Sequence, residues 1–281
     1  DAGAPMIAGA DFLALQNLLQ QRCGMALTSD KLYLVAARLG PVAQKLGHRS
    51  VIELMAHLRA RPSEAAINAV VEAMVTHESL FFRDGKPFEQ LRALLPELMR
   101  ARAAKRHLRI WSAACSSGQE AYSIAMQIAE DCGHIPGWRW EIIGTDVSEP
   151  ILAKARAGEF SAFEVKRGLT DARLARHFEP RGDGGWCVKQ SLRAMTQFRL
   201  HNLLESAAHL GQFDVIFCRN VLIYFDTPTK TRALDVIARQ LAGDGALFLG
   251  GADSVAGVSD KFLNVDRGLF QLAGPVLKKS A

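Results

Sequence analysis

The chain has 281 residues, which is enough for about two domains. Hydrophobic residues make up 49% and charged residues 22% of the chain, and these ordinary values exclude a disordered or fibrous protein. The net charge of +5 is mild.

The sequence shows no pattern of a membrane or exported protein. No apolar run approaches the ~20 residues that a membrane span needs, and no signal-peptide pattern opens the chain. The five cysteines form no C-x-x-C pair, which argues against a disulfide framework and against a structural zinc site. We therefore expect a soluble, cytoplasmic protein.

Residues 1–75 are predicted to form an all-helical N-terminal domain. Apolar residues recur at helical spacing, with Asp11 as the predicted N-cap of the first helix and Gly24 at its predicted end. Ser50 and Ser63 are predicted to begin two later helices.

The pattern changes after residues 76–106, which are expected to form a linker and a basic helix ending near Arg106. Over 107–281 short apolar strands alternate with helices, which indicates an α/β domain with a largely parallel sheet. The predicted strands cover 108–113, 141–144, 213–218 and 246–249, and the predicted helices cover 119–131, 149–157 and 227–241.

The alternation breaks at about 160–198. The sequence GDGG at 182–185 is typical of a hairpin turn, so we expect a small antiparallel insertion. Residues 161–199 carry eight Lys or Arg against four Asp or Glu, a net charge of +4. Such a face can be simply solvated, or it can attract an acidic partner at long range. Nucleic acid is less favoured because no stacking aromatic residues are interleaved with the basic ones.

A turn of small residues, ACSSG at 114–118, follows the first predicted strand. It allows a ligand to approach the backbone at the carboxyl end of the sheet, but it lacks the G-x-G-x-x-G pattern and the lysine of a P-loop. Asp146 ends the second strand, 28 positions beyond Gly118, where an acid can accept hydrogen bonds from ribose hydroxyls. A ribose acceptor without a phosphate cradle favours S-adenosylmethionine over NAD. The alternative role of Asp146, capping the next helix, is one that Ser148 can serve instead.

Two further segments carry polar residues at positions that indicate a site. The strand 213–218 delivers Arg219 and Asn220 to the same sheet edge, and Tyr224 follows one helical turn after Asn220. The sequence THESLFFR at 76–83 places a polar cluster beside two phenylalanines and an arginine. An alternative interpretation of this second segment is a packing joint between domains.

Together these segments resemble the CheR-type chemoreceptor methyltransferases, which are S-adenosylmethionine-dependent protein-glutamate O-methyltransferases. The similar segments are THESLFFR at 76–83, AACSSGQEAYS at 113–123, GTDVS at 144–148, FRLHNL at 198–203 and FDVIFCRNVLIYF at 213–225. The resemblance covers nearly the whole chain. It implies a Rossmann-like class I methyltransferase sheet domain with an inserted antiparallel β-subdomain, preceded by an all-helical N-terminal domain.

The resemblance also implies which residues bind S-adenosylmethionine and its product S-adenosylhomocysteine. They are His77, Ser79, Arg83, Glu120, Asp146, Asn202, Leu203, Arg219 and Asn220. Family members often have Asn at position 77 and Thr at position 79, and the residues present here keep hydrogen-bonding ability. Arg83 and Tyr224 are the expected catalytic residues, since a guanidinium can hold an acceptor carboxylate and a phenol can orient the attacking oxygen. No metal is expected.

The implied reaction methylates glutamate side chains of chemotaxis receptors, giving glutamyl methyl esters during sensory adaptation. The acceptor, with a reference pKa of ~4.3, is ionised at neutral pH, so no general base is needed. The expected partner is the cytoplasmic domain of methyl-accepting chemotaxis proteins, docked through the basic β-subdomain. Two alternatives stay open: a methyltransferase of the same fold with another substrate, and a non-catalytic sensor that binds the cofactor.

Overall fold

The computed structural model describes Ile7 and residues 9–274. These residues divide into two compact units. The first unit contains the chain up to Thr76 together with Tyr224–Thr229, and the second contains His77–Ile223 and the chain from Lys230 onward. No helix in the described part of the chain is both long and apolar enough to cross a membrane.

The described part of the first unit is helical, as the sequence predicts. Its helices are α1 Ala10–Cys23, α2 Leu32–Lys45, α3 Val51–Ala60 and α4 Glu64–Met74. Ser50 and Ser63 cap α3 and α4, because their hydroxyls accept hydrogen bonds from the backbone N–H groups of Glu53 and Ala66 at 3.2 Å. Gly24 ends α1 in the left-handed conformation, with φ 77°.

The prediction that Asp11 caps α1 is wrong. The helix begins at Ala10, which places Asp11 inside its first turn. The Asp11 carboxylate instead pairs with Arg59 of α3 at 2.8 Å. The Asp11 carboxylate therefore binds a charged group of a neighbouring helix and does not cap its own helix.

The second unit is an α/β domain with two sheets. The strands in chain order are β1 His107–Ala113, β2 Arg139–Asp146, β3 Glu159–Phe160, β4 Phe178–Pro180, β5 Trp186–Val188, β6 Thr196–Leu200, β7 Phe213–Cys218, β8 Leu241–Leu249, β9 Phe262–Asp266 and β10 Leu269–Leu272. The helices of this part of the chain are α5 Lys86–Ala101, α6 Gln119–Cys132, α7 Glu149–Ala157, α8 Ala162–Lys166, α9 Asp171–His177, α10 Gln190–Arg193 and α11 Thr227–Gln240.

The larger sheet has the strand order β6-β2-β1-β7-β8-β10-β9. The first five strands of this order are parallel, and β10 runs antiparallel to β8 and β9. Strand β7 is apolar except for Asp214 because both faces of a parallel sheet are covered, and Trp111, Phe217 and Phe248 are fully buried. The predicted Rossmann-like fold is confirmed. The hairpin of β9 and β10 was not predicted from the sequence.

The smaller sheet is antiparallel, with the order β3-β5-β4. Strands β4 and β5 are joined by the turn at 181–185, as the GDGG sequence predicts. We call the segment from β3 to α10 the β-subdomain. The strand that follows it, β6, pairs with β2 in the larger sheet.

The sequence predicted that helix α5 ends near Arg106, and this prediction is wrong. The helix ends at Ala101. Arg102 leaves the helix, and its guanidinium pairs with Asp214 and Asp244, each at 2.6 Å. Arg106 has a left-handed φ of 46°, a conformation that an α-helix of L-residues does not contain. Basic composition alone could not show where this helix stops.

Candidate active site

The turn between β1 and α6 is tightly wound. Ala114, Ser116 and Gly118 have left-handed φ values of 56°, 51° and 91°. At Gly118 a Cβ atom would lie 3.0 Å from the Cβ of Ala155 and 3.1 Å from the Cζ of Phe198. Glycine alone combines this conformation with this packing. The small residues of the sequence therefore form a compact turn at the carboxyl end of β1.

The Asp146 carboxylate ties this turn to the end of β2. Asp146 is 6% exposed; its Oδ2 accepts a hydrogen bond from the backbone N–H of Ser116 at 2.9 Å, and its Oδ1 accepts one from Ser148 at 3.2 Å. Ser148 itself caps α7, since its hydroxyl accepts from the N–H of Ile151. A carboxylate offers about four acceptor sites, so Asp146 retains sites for the hydroxyls of a ligand.

The environment of Asp146 also links it to His77. Burial raises the pKa of Asp146, and the interaction with His77 and the backbone N–H donors oppose part of this rise. His77 therefore lies close enough to Asp146 for the two side chains to interact. These two residues were predicted to share a site from segments far apart in the chain.

An ion-pair network around the buried Arg219 joins the end of β7 to the start of α6. The Arg219 side chain is 1% exposed and donates to Glu120 Oε2 at 3.1 Å, to Asp84 Oδ2 at 2.6 Å and to the Arg83 carbonyl at 2.8 Å. The other Glu120 oxygen accepts a hydrogen bond from the Ser112 hydroxyl at 2.8 Å. Three predicted site residues, Arg83, Glu120 and Arg219, are thus brought together.

The loop that carries Arg83 has a constrained backbone. Phe82 and Asp84 have φ values of 49° and 67°, which cost non-glycine residues of the order of 1 kcal/mol or more each. Two contacts hold this conformation. The Phe82 N–H donates to the Ser123 hydroxyl of α6 at 2.9 Å, and Asp84 is bound by Arg219.

The Arg83 guanidinium makes few contacts with the described residues. The side chain is half-buried, and it donates to the carbonyl of Glu78 at 3.3 Å. It forms no ion pair with a described carboxylate. A guanidinium in this state can bind an incoming carboxylate through charge-assisted hydrogen bonds.

The remaining predicted cofactor residues follow β6 and β7. The N–H of His201 donates to the Asp146 carbonyl at 3.0 Å, so the segment containing Asn202 and Leu203 starts beside Asp146. Leu203 is buried, and the side-chain carbonyl of Asn202 accepts the backbone N–H two residues further along at 3.0 Å. Asn220 follows β7 in the left-handed conformation, with φ 60°.

Two predicted site residues, Ser79 and Tyr224, are not among the described residues that bind the ion-pair network of Arg219, Glu120 and Asp84. Ser79 is half-buried and makes no hydrogen bond with a described residue. Tyr224 belongs to the first compact unit, where its carbonyl accepts the N–H of Ala26 at 2.8 Å. The convergence of Tyr224 and Arg83 on one substrate group stays a prediction.

Asp84, Ser112 and Ser123 are supporting residues that sequence reasoning missed. A signal for Asp84 was present, since a buried arginine needs an acidic partner and Asp84 directly follows the similar segment at 76–83. The two serines gave no such signal, because a serine on a strand or helix is uninformative until its partner is known.

The cysteines near the site are packing residues, as the sequence analysis proposed. Cys115 and Cys218 are fully buried. Burial raises the pKa of both thiols well above the ordinary value. Burial therefore disfavours the thiolate, which is the nucleophilic form of cysteine.

The β-subdomain contacts the loop of Arg83 through α9. Arg173 donates to the Glu130 carboxylate of α6 at 2.8 and 3.0 Å, and its Cζ lies 3.7 Å from the centre of the Phe82 ring. Nε2 of His177 lies 3.0 Å from the same carboxylate. One wall of the loop is therefore built by the β-subdomain.

Two family models match most of the chain. Residues 10–75 match the family described as CheR methyltransferase, all-alpha domain, and residues 77–269 match CheR methyltransferase, SAM binding domain. The chain belongs to the CheR methyltransferase family. The resemblance inferred from the motifs is thus confirmed.

Relatives align with this CheR family member over nearly its full length. Chemotaxis protein methyltransferase Cher2 of Pseudomonas putida is 42% identical over 257 residues, which cover 90% of this chain and 93% of the relative. The chemotaxis protein methyltransferase of Escherichia coli is 34% identical over 261 residues, which cover 91% and 88%. The similarity therefore includes both compact units.

The residues present fit S-adenosylmethionine, the cofactor of this domain family. Asp146 keeps acceptor sites for ribose hydroxyls. Glu120 and Arg219 place a negative and a positive group at one sheet edge, matching the ammonium and carboxylate of a methionine moiety. Nε of Arg219 is buried and has no hydrogen-bond partner among the described residues, so a donor is available there.

Proposed function

We propose that this protein methylates glutamate side chains of chemotaxis receptors in the cytoplasm, giving glutamyl methyl esters. The relatives are chemotaxis protein methyltransferases, and the family implies the glutamate acceptor. The observation that carries the proposal is the Arg83 guanidinium, which forms no ion pair with the described residues, on a loop whose Arg83 backbone carbonyl is bound by Arg219. A carboxylate substrate is the natural ligand of such a group.

The cofactor-binding role of individual residues is part of the same proposal. When bound, S-adenosylmethionine supplies an electrophilic methyl group. Asp146 would accept hydrogen bonds from the ribose, and Glu120 and Arg219 would bind the two charged groups of the methionine moiety. His77, Ser79, Asn202, Leu203 and Asn220 would complete the cofactor site.

The task of the protein in this reaction is mainly positioning. The acceptor glutamate, with a reference pKa of ~4.3, is ionised at neutral pH, so no side chain has to remove a proton. Arg83 would hold one carboxylate oxygen and leave the other to attack, and Tyr224 would orient the attacking oxygen by a hydrogen bond. Fixed geometry and exclusion of water then account for the rate.

The β-subdomain is proposed to dock the acidic receptor. Several of its basic residues are already used: Arg167 pairs with Glu78, Arg173 with Glu130, and Arg181 with Glu159 and Asp183. Lys166 and Arg176 are exposed and form no ion pair with the described residues. Phe163, 68% exposed, lies beside Arg167 and adds an apolar contact. The positive charge that is left for a receptor is thus smaller than the net charge of +4 counted over residues 161–199.

The function is tested by incubating the protein with radiolabelled S-adenosylmethionine and receptor-enriched membranes. Label that is released by mild base identifies carboxyl methyl esters, and peptide mapping assigns them to glutamates. Base-stable label would indicate another acceptor on the same fold. Cofactor binding without label on any receptor would indicate a sensor and would reject the proposal.

A further inference from the structure

One carboxylate joins the carboxyl ends of β7 and β8. Asp253 lies in the connection between β8 and β9, and its Oδ2 accepts hydrogen bonds from the N–H groups of Asn220 and Gly250, both at 3.0 Å. None of the comparisons or motifs pointed to Asp253.

These N–H groups lie beyond the last ladder hydrogen bonds of the two parallel strands. β7 ends at Cys218 and β8 at Leu249, so neither strand can supply an acceptor for the residues that follow. A buried backbone donor without a partner costs about 1–3 kcal/mol. Asp253 supplies the acceptor for both strand ends at once.

The Asp253 carboxylate and the Asn220 backbone pack closely against Gly250. At Gly250 an added Cβ atom would lie 2.7 Å from Asp253 Oδ2 and 2.9 Å from the backbone nitrogen of Asn220. Asn220 has the left-handed φ of 60°, which a non-glycine residue adopts when its surroundings enforce it. The Asp253 hydrogen bond is such a constraint.

The charge of Asp253 is costly where it lies. Its Oδ1 is buried and has no hydrogen-bond partner among the described residues, and burial raises the pKa of the carboxyl group. A polar group that is expensive to bury and is aimed at a turn beside a binding site is more readily explained by function than by stability.

We propose that Asp253 is a positioning residue that sets the backbone of the Arg219–Ile223 turn for cofactor binding. It acts through the N–H of Asn220, and it holds this turn at a fixed distance from the end of β8. The inference deepens the proposed function, because it rests on Asn220 being a cofactor-binding residue. It does not depend on which substrate is methylated.

The test compares Asp253→Ala and Asp253→Asn with a control, Asp260→Ala. Asp260 is an exposed aspartate in the same connection, so its replacement makes the same change in charge. Affinity for S-adenosylhomocysteine is measured by calorimetry, and amide hydrogen exchange is measured at Asn220 and Gly250. No receptor is needed, so failure of receptor methylation does not affect the result.

Asp253→Ala is expected to weaken binding about tenfold, as loss of one or two hydrogen bonds to the turn would. Exchange should accelerate at both amides while the rest of the larger sheet stays protected. Asp253→Asn keeps an acceptor oxygen and should restore most of the affinity, and Asp260→Ala should match the wild type.

Wild-type affinity in folded Asp253→Ala would overturn the proposal, and so would a loss of thermal stability with unchanged affinity. If Asp253→Ala does not fold, Asp253→Glu serves in its place. It keeps the charge but moves the oxygens one bond further from the strand ends. It is expected to bind about tenfold more weakly, and unchanged affinity in this variant would equally overturn the proposal.

Discussion

At the scale of single residues, Asp146 shows how one carboxylate orders a turn and keeps capacity for a ligand. Asp146→Ala is expected to weaken S-adenosylhomocysteine binding by ~2 kcal/mol, the value of two hydrogen bonds, or about thirtyfold in Kd. Calorimetry measures the change. Unchanged affinity would remove Asp146 from the cofactor site.

The raised pKa of Asp146 adds a pH dependence. The ionised carboxylate is the form that accepts ribose hydrogen bonds, so affinity is present above its pKa in the folded protein and is lost as the pH falls through it. Because burial has raised this pKa, the loss should begin at a higher pH than for an exposed aspartate. Asp146→Asn should bind more weakly at neutral pH and lack this acidic limb, so an identical pH profile in this variant would contradict the assignment.

Arg83 and Tyr224 have separable roles in the proposed reaction. Arg83→Ala should lower turnover about a hundredfold, because a charged partner of the acceptor is lost, and Tyr224→Phe about tenfold, because one hydroxyl is removed. The wild-type rate should be nearly flat between about pH 6.5 and 8.5, since no base titrates in the mechanism. Full activity in both variants would reject this catalytic assignment, and a steep rise through pH 7 would implicate His77 as a base.

At the scale of elements, α9 supports the Arg83 loop through the stack of Arg173 on Phe82. Arg173→Ala should lower turnover about tenfold and leave cofactor affinity nearly unchanged, because the loop loses a cation–π contact and Glu130 loses its partner. Arg173→Lys should restore less than half of the lost rate, since an ammonium lacks the planar fork.

The control for Arg173 is Arg92→Ala. Arg92 forms a more exposed ion pair with Asp131, the residue after Glu130, at 3.0 Å, whereas Arg173 is the residue that stacks on Phe82. Steady-state kinetics separates the effects. Equal losses in Arg173→Ala and Arg92→Ala would show that ion pairs on α6 matter only for stability.

The prediction that the β-subdomain docks the receptor is tested at its exposed basic residues. The double variant Lys166→Glu with Arg176→Glu should slow methylation at subsaturating receptor and leave cofactor affinity intact, and the wild-type rate should fall as salt rises. Lys105→Glu with Arg100→Glu, an equal change of charge on exposed residues outside the β-subdomain, should have little effect. A salt-independent rate would leave the β-subdomain face as merely solvated.

At the scale of the whole molecule, the candidate site collects residues from segments far apart in the chain. A ligand that binds the folded protein alone stabilises it, by ~2.7 kcal/mol at a hundred times Kd. S-adenosylhomocysteine should therefore raise the unfolding temperature by a few degrees, and Asp146→Ala should lose most of this rise. Calorimetric scans check both statements, and an equal rise in the variant would show that binding does not involve Asp146.

The sequence by itself determined the class of fold and most of the candidate residues. Strand ends in a parallel sheet share one edge, so the small turn at 114–118, Asp146 and Arg219 could be predicted to lie together without coordinates. Helix caps such as Ser50 and Ser63 were also predictable, because a cap is a contact between residues three apart in the chain.

Only the tertiary structure decided the contacts between distant segments. Asp11 pairs with Arg59 of another helix and does not act as the predicted N-cap. Arg102 lies just after the end of α5 and pairs with Asp214. Asp84 and Asp253 lie more than a hundred and about thirty residues from their partners Arg219 and Asn220, so spacing along the chain could not pair them, although the position of Asp84 directly after the segment at 76–83 gave one signal. The physical reason is that a buried charge or N–H group takes whichever partner the fold brings within hydrogen-bond distance, and that partner is set by packing and not by sequence spacing.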